Sequence, residues 1–153
     1  MDVDSIRKDF PTVRNGRGIY LDSACQALRP DQVIRAITEY YEEYPACGGR
    51  SVHSMATRVS VMMDEAREAL ARFFGTKDPG CYVFTRNTTE SINLVAYSYG
   101  LSHVKAGDEV LVSIMEHHSN LLPWQMVCRQ TGASLKFMEC EMDGTLDLNK
   151  VEA

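Results

Sequence analysis

The chain has 153 residues, enough for one domain with a real core and short for two. A net charge of −5 and a pI of about 5.3 argue against nucleic acid or anionic membrane as the main partner. No run nears the roughly 20 apolar residues of a membrane span, and the opening MDVDSIRKDF does not read as a secretory signal, so the expected location is the cytoplasm.

The elements follow in chain order. Residues 4–10 predict a short helix that Pro11 ends, and Ile19 to Asp22 a short extended segment. After Pro30, the residues Val33, Ile34, Ile37, Tyr40, Tyr41 and Tyr44 recur at helical spacing until Pro45. The loop PACGGRSVH (45–53) follows. A long helix is expected from Ala56 to Phe74, with Val59, Met62, Ala66, Leu70 and Phe73 on one stripe and Gly75 as its cap. CYVFT (81–85) reads as a buried strand, and 88–100 as a helix with Ile92, Val95, Ala96 and Tyr99 inward and Gly100 at its end. DEVLVSIM (108–115) is a second strand, 123–132 a helix opened by proline and closed by glycine, and SLKFMEC (134–140) a third strand. MDGT (142–145) is a turn, and DLNKVEA begins another helix. This alternation predicts an α/β fold of parallel β-α-β units. Three strands are few for a parallel sheet buried on both faces, so the chain is expected to be the N-terminal piece of a larger protein.

Three stretches hold residues suited to chemistry. In TRNTTES (85–91), Asn87 and Glu90 have capping-box spacing. Thr88 and Thr89 then fall where a helix has unpartnered amides and a positive dipole end, which makes either a plain cap or a phosphate cradle. Glu116-His117-His118-Ser119-Asn120 closes the next strand, where ligands collect in open α/β sheets. Adjacent histidines on an extended backbone point to opposite faces, so a shared metal is disfavoured; a solvated pair and a ring-stacking imidazole stay open. In PACGGRSVH, Arg50 is able to grip a carboxylate or phosphate. The five cysteines form an odd set without a C-x-x-C pair and read as reduced thiols; Cys25 and Cys47 are either site-lining or simply small.

Taken together, DFPTVRNGRGIYLDSA, GRSVH, FTRNTTESINLVA, AGDEVLVSIMEHHSNLLPWQM and DGTLDL resemble the class V aminotransferase family, in its SufS-type cysteine desulfurase branch. They stand in the family's order over nearly the whole chain. The resemblance implies a truncated N-terminal part of a fold type I pyridoxal-phosphate transferase. Residues 1–29 would associate with the small domain, and 30–153 would belong to the large, cofactor-binding domain.

It further implies that Thr88 and Thr89 bind the phosphate of pyridoxal 5′-phosphate. His117 would stack on the ring and help move protons, and Arg50 and His53 would lie in a loop near the active site and dimer contact. The enzyme would be a cytoplasmic homodimer releasing sulfur from L-cysteine, leaving alanine and a persulfide destined for a sulfur-acceptor protein and iron–sulfur cluster assembly. The family's Schiff-base lysine, its pyridinium-pairing aspartate, its persulfide cysteine and its carboxylate-binding arginine are expected beyond residue 153. None of Lys8, Lys77, Lys105, Lys136 and Lys150 has that lysine's context, so the 153-residue chain alone is expected to be inactive. Two stretches depart from the family pattern: Ala24-Cys25 after LDS, and Gly49-Arg50 where histidine is usual. Alternatives are another class V enzyme (selenocysteine lyase, aminotransferase or epimerase), a non-catalytic binding or dimerisation module, and a metal site at Cys25, Cys47 and a histidine.

Overall fold

Proline and glycine set most helix borders in the computed structural model, which describes residues 2–16 and 18–147. The chain divides into two units, one through Tyr82 and one from Val83.

In the first unit, α1 (Val3–Lys8) is capped by Asp2, whose carboxylate accepts from the Ser5 amide at 3.1 Å. It ends before Pro11, which opens α2 (Pro11–Arg14) instead of only ending α1. Proline lacks an N–H that the first turn would leave unpartnered anyway. Arg14 donates to the Lys8 carbonyl and to Asp31, both at 2.7 Å, and so ties these turns to α3 (Asp31–Glu43). The long α4 (Ser54–Phe74) stops at Gly75, whose φ of 73° is left-handed. Arg58 of α4 pairs with Glu39 and Glu43 of α3, and its guanidinium lies 3.9 Å above the Tyr44 ring.

Two expectations fail in this unit. Ile19 and Leu21 are about nine-tenths exposed and enter no strand, since a strand needs a ladder partner that the described residues do not supply. The α4 stripe is covered only in part: Val59 and Leu70 are half-buried, Met62 and Ala66 are exposed, Phe73 is 81% exposed, and the fully buried positions, Ala56 and Ala71, lie off it. Apolar spacing marks a face, but a face is covered only where another element packs on it.

The second unit is a β-α-β arrangement. β1 (Glu109–Ser113) pairs in parallel with β2 (Ser134–Met138) from Glu109↔Ser134 to Ser113↔Met138, and α7 (Leu122–Thr131) is the crossover. Pro123 stands in the first turn of α7, and Gly132 closes it at φ 79°. A bridge from Cys140 to Leu146 spans the expected turn at 142–145.

The expected strand at 81–85 does not form. Cys81 ends a 3-10 turn (Pro79–Cys81), and Val83 is 69% exposed. The helix after it runs further than expected. Its first part, α5 (Thr88–Val95), widens into a π turn (Ala96–Gly100) and continues as α6 (Leu101–His103). Ala96, expected inward, and Gly100 are buried in the π turn, while Val95 and Tyr99, also expected inward, are exposed. Gly100 therefore does not end the helix. A Cβ there would sit 3.1 Å from Val127 Cγ2 and 3.4 Å from the Trp124 ring, so its bare backbone lets α7 approach. Val127 is wholly buried in that contact. The further helix expected after Asp147 lies outside the described residues.

Candidate functional site

Asn87 is extended and its side-chain oxygen accepts from the Glu90 amide at 2.9 Å, which starts α5 as the capping spacing requires. Glu90 reaches back one residue further than a standard capping box, accepting from the Arg86 amide at 2.6 Å. The cap serves the amide of Glu90 and leaves those of Thr88 and Thr89, in the first turn, to other acceptors. Their hydroxyls stand beside them on the positive end of the helix dipole.

After β1 the chain does not stay extended. It turns at Ile114 and Met115, and His118–Asn120 form a 3-10 turn with His117 as its N-terminal cap. The opposite-face expectation for the two histidines is therefore overturned. Both rings line one cleft of about 490 Å³, with centroids 6.1 Å apart. The facing wall is Thr89, Asn93 and Tyr97, three residues four apart on one helical face. Leu122, Pro123 and Met126 make its apolar side. The volume is that of a small-molecule site with a few convergent polar groups.

The His117 ring is oriented by its own turn. Nδ1 accepts from the Ser119 amide at 3.1 Å and lies 2.9 Å from the Ser119 hydroxyl. A backbone amide only donates, so in the neutral ring the proton sits on Nε2.

Behind the histidines lies a polar chain that spacing did not disclose. Glu116 accepts from the Ser113 hydroxyl at 2.7 Å and from the Asn120 side-chain amide at 2.8 Å; the Asn120 oxygen accepts from Trp124 Nε1 at 2.9 Å. The Ser113 bond first, then that of Asn120, hold the Glu116 carboxyl below the ordinary carboxylate range. Asn93 and Tyr97 were also missed as site residues; the i, i+4, i+8 run from Thr89 was the available signal.

Arg50 and His53 belong to the first unit. Arg50 lies in the turn before α4, and His53 caps that helix, its Nδ1 accepting from the Ala56 amide at 3.4 Å. Cys25 and Cys47 are exposed thiols, and among the described residues no group of three His, Cys, Asp or Glu side chains is placed to hold a metal ion.

The family described as aminotransferase class-V matches residues 19–153. The chain belongs to that family. A relative from Synechocystis sp. named probable cysteine desulfurase is 42% identical over 148 residues, which is 94% of this chain and 35% of that protein. The apo cysteine desulfurase of Thermococcus onnurineus NA1 superposes with a TM-score of 0.86 at 38% identity, over 98% of this chain and 36% of its own. The structure of a C-DES mutant with glycine covalently linked to its PLP cofactor superposes at 0.70 with 25% identity, over 87% of this chain and 33% of its own. The chain thus spans about a third of the length of the curated class V relatives it matches. The expected α/β fold with a parallel β-α-β unit agrees with these solved structures.

Proposed function

We propose that this chain supplies the phosphate and ring subsites of a pyridoxal 5′-phosphate-dependent cysteine desulfurase. Such an enzyme takes sulfur from L-cysteine, leaves alanine and passes the sulfur on as a persulfide. The observation that carries the reading is the cleft that joins Thr89, at the start of α5, with His117 on the next strand-to-helix turn.

The residues present suit the cofactor's two ends. Thr88 and Thr89 offer hydroxyls and first-turn amides to the phosphate dianion, where the helix dipole favours negative charge. His117 offers an imidazole face to the ring, and its Nε2 is the atom that holds or moves a proton. Met126 and Leu122 give that side of the cleft an apolar wall. Bound there, the cofactor supplies an electron sink for breaking bonds at the substrate's α-carbon.

The remaining assignments stand on family membership. Residues 1–29 associate with the small domain and 30–153 with the large one. Arg50 and His53 serve the loop near substrate and dimer contact in a cytoplasmic homodimer, and the persulfide goes to an acceptor protein in iron–sulfur cluster assembly.

The test uses the full-length protein. It is expected to purify with the visible absorbance of bound pyridoxal phosphate, and to form alanine and sulfide from L-cysteine under reducing conditions. Intact cofactor without alanine overturns the desulfurase reading and moves the enzyme to another class V reaction.

A further inference from the structure

We propose that Glu116 is a positioning residue that braces the turn carrying His117 and His118, so that the imidazoles keep their place on the cleft. The proposal rests on the reading of His117 as the ring-stacking residue. Its basis is a hydrogen-bond chain whose direction is fixed from one end. Trp124 Nε1 only donates, so Asn120 must present its oxygen to it and its NH2 to the other side. Glu116 receives that NH2 and must be an acceptor there. Its other oxygen takes the hydroxyl of Ser113, the last residue of β1 and only 8% exposed. The chain thus pins the end of β1 to the first turns of α7, and the two histidines lie on the backbone between the pinned points. Trp124 is the chain's single tryptophan and packs beside Gly100, so the brace is anchored in the buried contact of this unit.

The experiment compares Glu116→Ala and Glu116→Gln, alone and combined with His117→Ala, in the full-length, cofactor-loaded enzyme. Glutamine preserves the brace, because its oxygen can face Asn120 while its NH2 faces a Ser113 hydroxyl able to turn and accept. Alanine removes it.

Two readouts are taken: kcat and KM for alanine formation, and the fluorine NMR signal of 5-fluorotryptophan at Trp124, assigned by its loss in Trp124→Phe. Glu116→Ala is expected to lower kcat about tenfold or more, with KM within about twofold, since misplacing a catalytic group costs rate before binding. It should also shift the Trp124 signal, whereas Glu116→Gln keeps that signal and most of kcat. In the His117→Ala background, removing Glu116 should cost nothing further, because the two act through one group. The same fold-loss in both backgrounds would make Glu116 a general stabiliser and overturn the proposal, as would an unmoved Trp124 signal. If Glu116→Ala does not fold, Asn120→Ala cuts the chain one link later and is read by the same criteria. If the unsubstituted enzyme forms no alanine, the proposed function fails, and the fluorine signal alone still decides whether the brace exists.

Discussion

In the unit through Tyr82, exposed ion pairs link one helix to another, Arg14 with Asp31 and Arg58 with Glu39 and Glu43, and Arg58 also covers the buried Tyr44 ring. In the unit from Val83, elements are joined by a parallel ladder and by the meeting of Gly100 with Val127 and Trp124, where Val127 is wholly buried. The difference bears on function. A site holds its geometry when the backbone beneath it is fixed by packing, and the cleft with Thr89 and His117 is built on the second kind of structure.

The comparison is broken most directly at the cleft. In the full-length enzyme, His117→Ala should lower alanine formation by about 100-fold or more, the usual scale for losing a proton-handling group. His118→Ala should cost less than about tenfold, because only His117 has its ring locked by the Ser119 amide. Steady-state kinetics on both variants decides it, and equal losses mean that the wrong histidine was assigned.

Packing is the next lever. Val127→Ala should cost about 2 kcal/mol in urea unfolding, as expected for a truncated, fully buried aliphatic side chain. Gly100→Val should cost about 1–3 kcal/mol by overpacking, since even a single added carbon stands 3.1 Å from Val127. Phe73→Ala in the first unit, at a side chain 81% exposed, should stay within about 0.5 kcal/mol. If Phe73→Ala costs as much as Val127→Ala, the contrast between the units is false.

What was legible in the sequence follows the same division. The pattern located α3, α4, α7, β1, β2 and the glycine caps at Gly75 and Gly132, because caps and periodicity are local. It misplaced what depends on a partner: the segment at Ile19 and the strand at 81–85 find no ladder partner among the described residues, and the stripe ending at Phe73 is covered only in part. The π turn was invisible for another reason. No residue type signals it, and within it Ala96 is buried as the pattern had it, Gly100 is buried as well, and Tyr99 is exposed. At the site, motif and strand-end logic pointed to Thr88, Thr89 and His117, and of these Thr89 and His117 line the cleft. Glu116 was passed over because its meaning lies in Asn120 and Trp124, one helical turn apart each, and a hydrogen-bond chain has no hydrophobic period.

Caps offer a smaller test of the contrast. Asn87→Ala should cost about 1 kcal/mol, because its oxygen holds the Glu90 amide at 2.9 Å. His53→Ala, whose cap bond to the Ala56 amide is 3.4 Å long, should cost clearly less in the same unfolding assay. Comparable costs would show that the start of α4 is held as firmly as that of α5.

The smallest effect separates the units by mechanism. Each has a carboxyl held below its ordinary range: Asp31 by its hydrogen bond and charge attraction to Arg14, Glu116 by bonds from the neutral groups of Ser113 and Asn120. For both, the sign is the same. The folded carboxyl gives up its charge less readily than the unfolded one, so its stabilisation is complete above the ordinary carboxylate range and is lost as pH falls through the folded value. Salt should tell them apart. Raising ionic strength from 0.1 M to 1 M shortens the screening length from about 10 Å to about 3 Å, which weakens attraction between exposed charges and leaves hydrogen bonds from neutral donors nearly untouched. In a carbon-13 carboxyl titration, the Asp31 midpoint should rise toward its ordinary value in 1 M salt while that of Glu116 stays. Equal movement would mean that Glu116 is also held by a distant cation, and the neutral brace behind His117 would have to be redrawn.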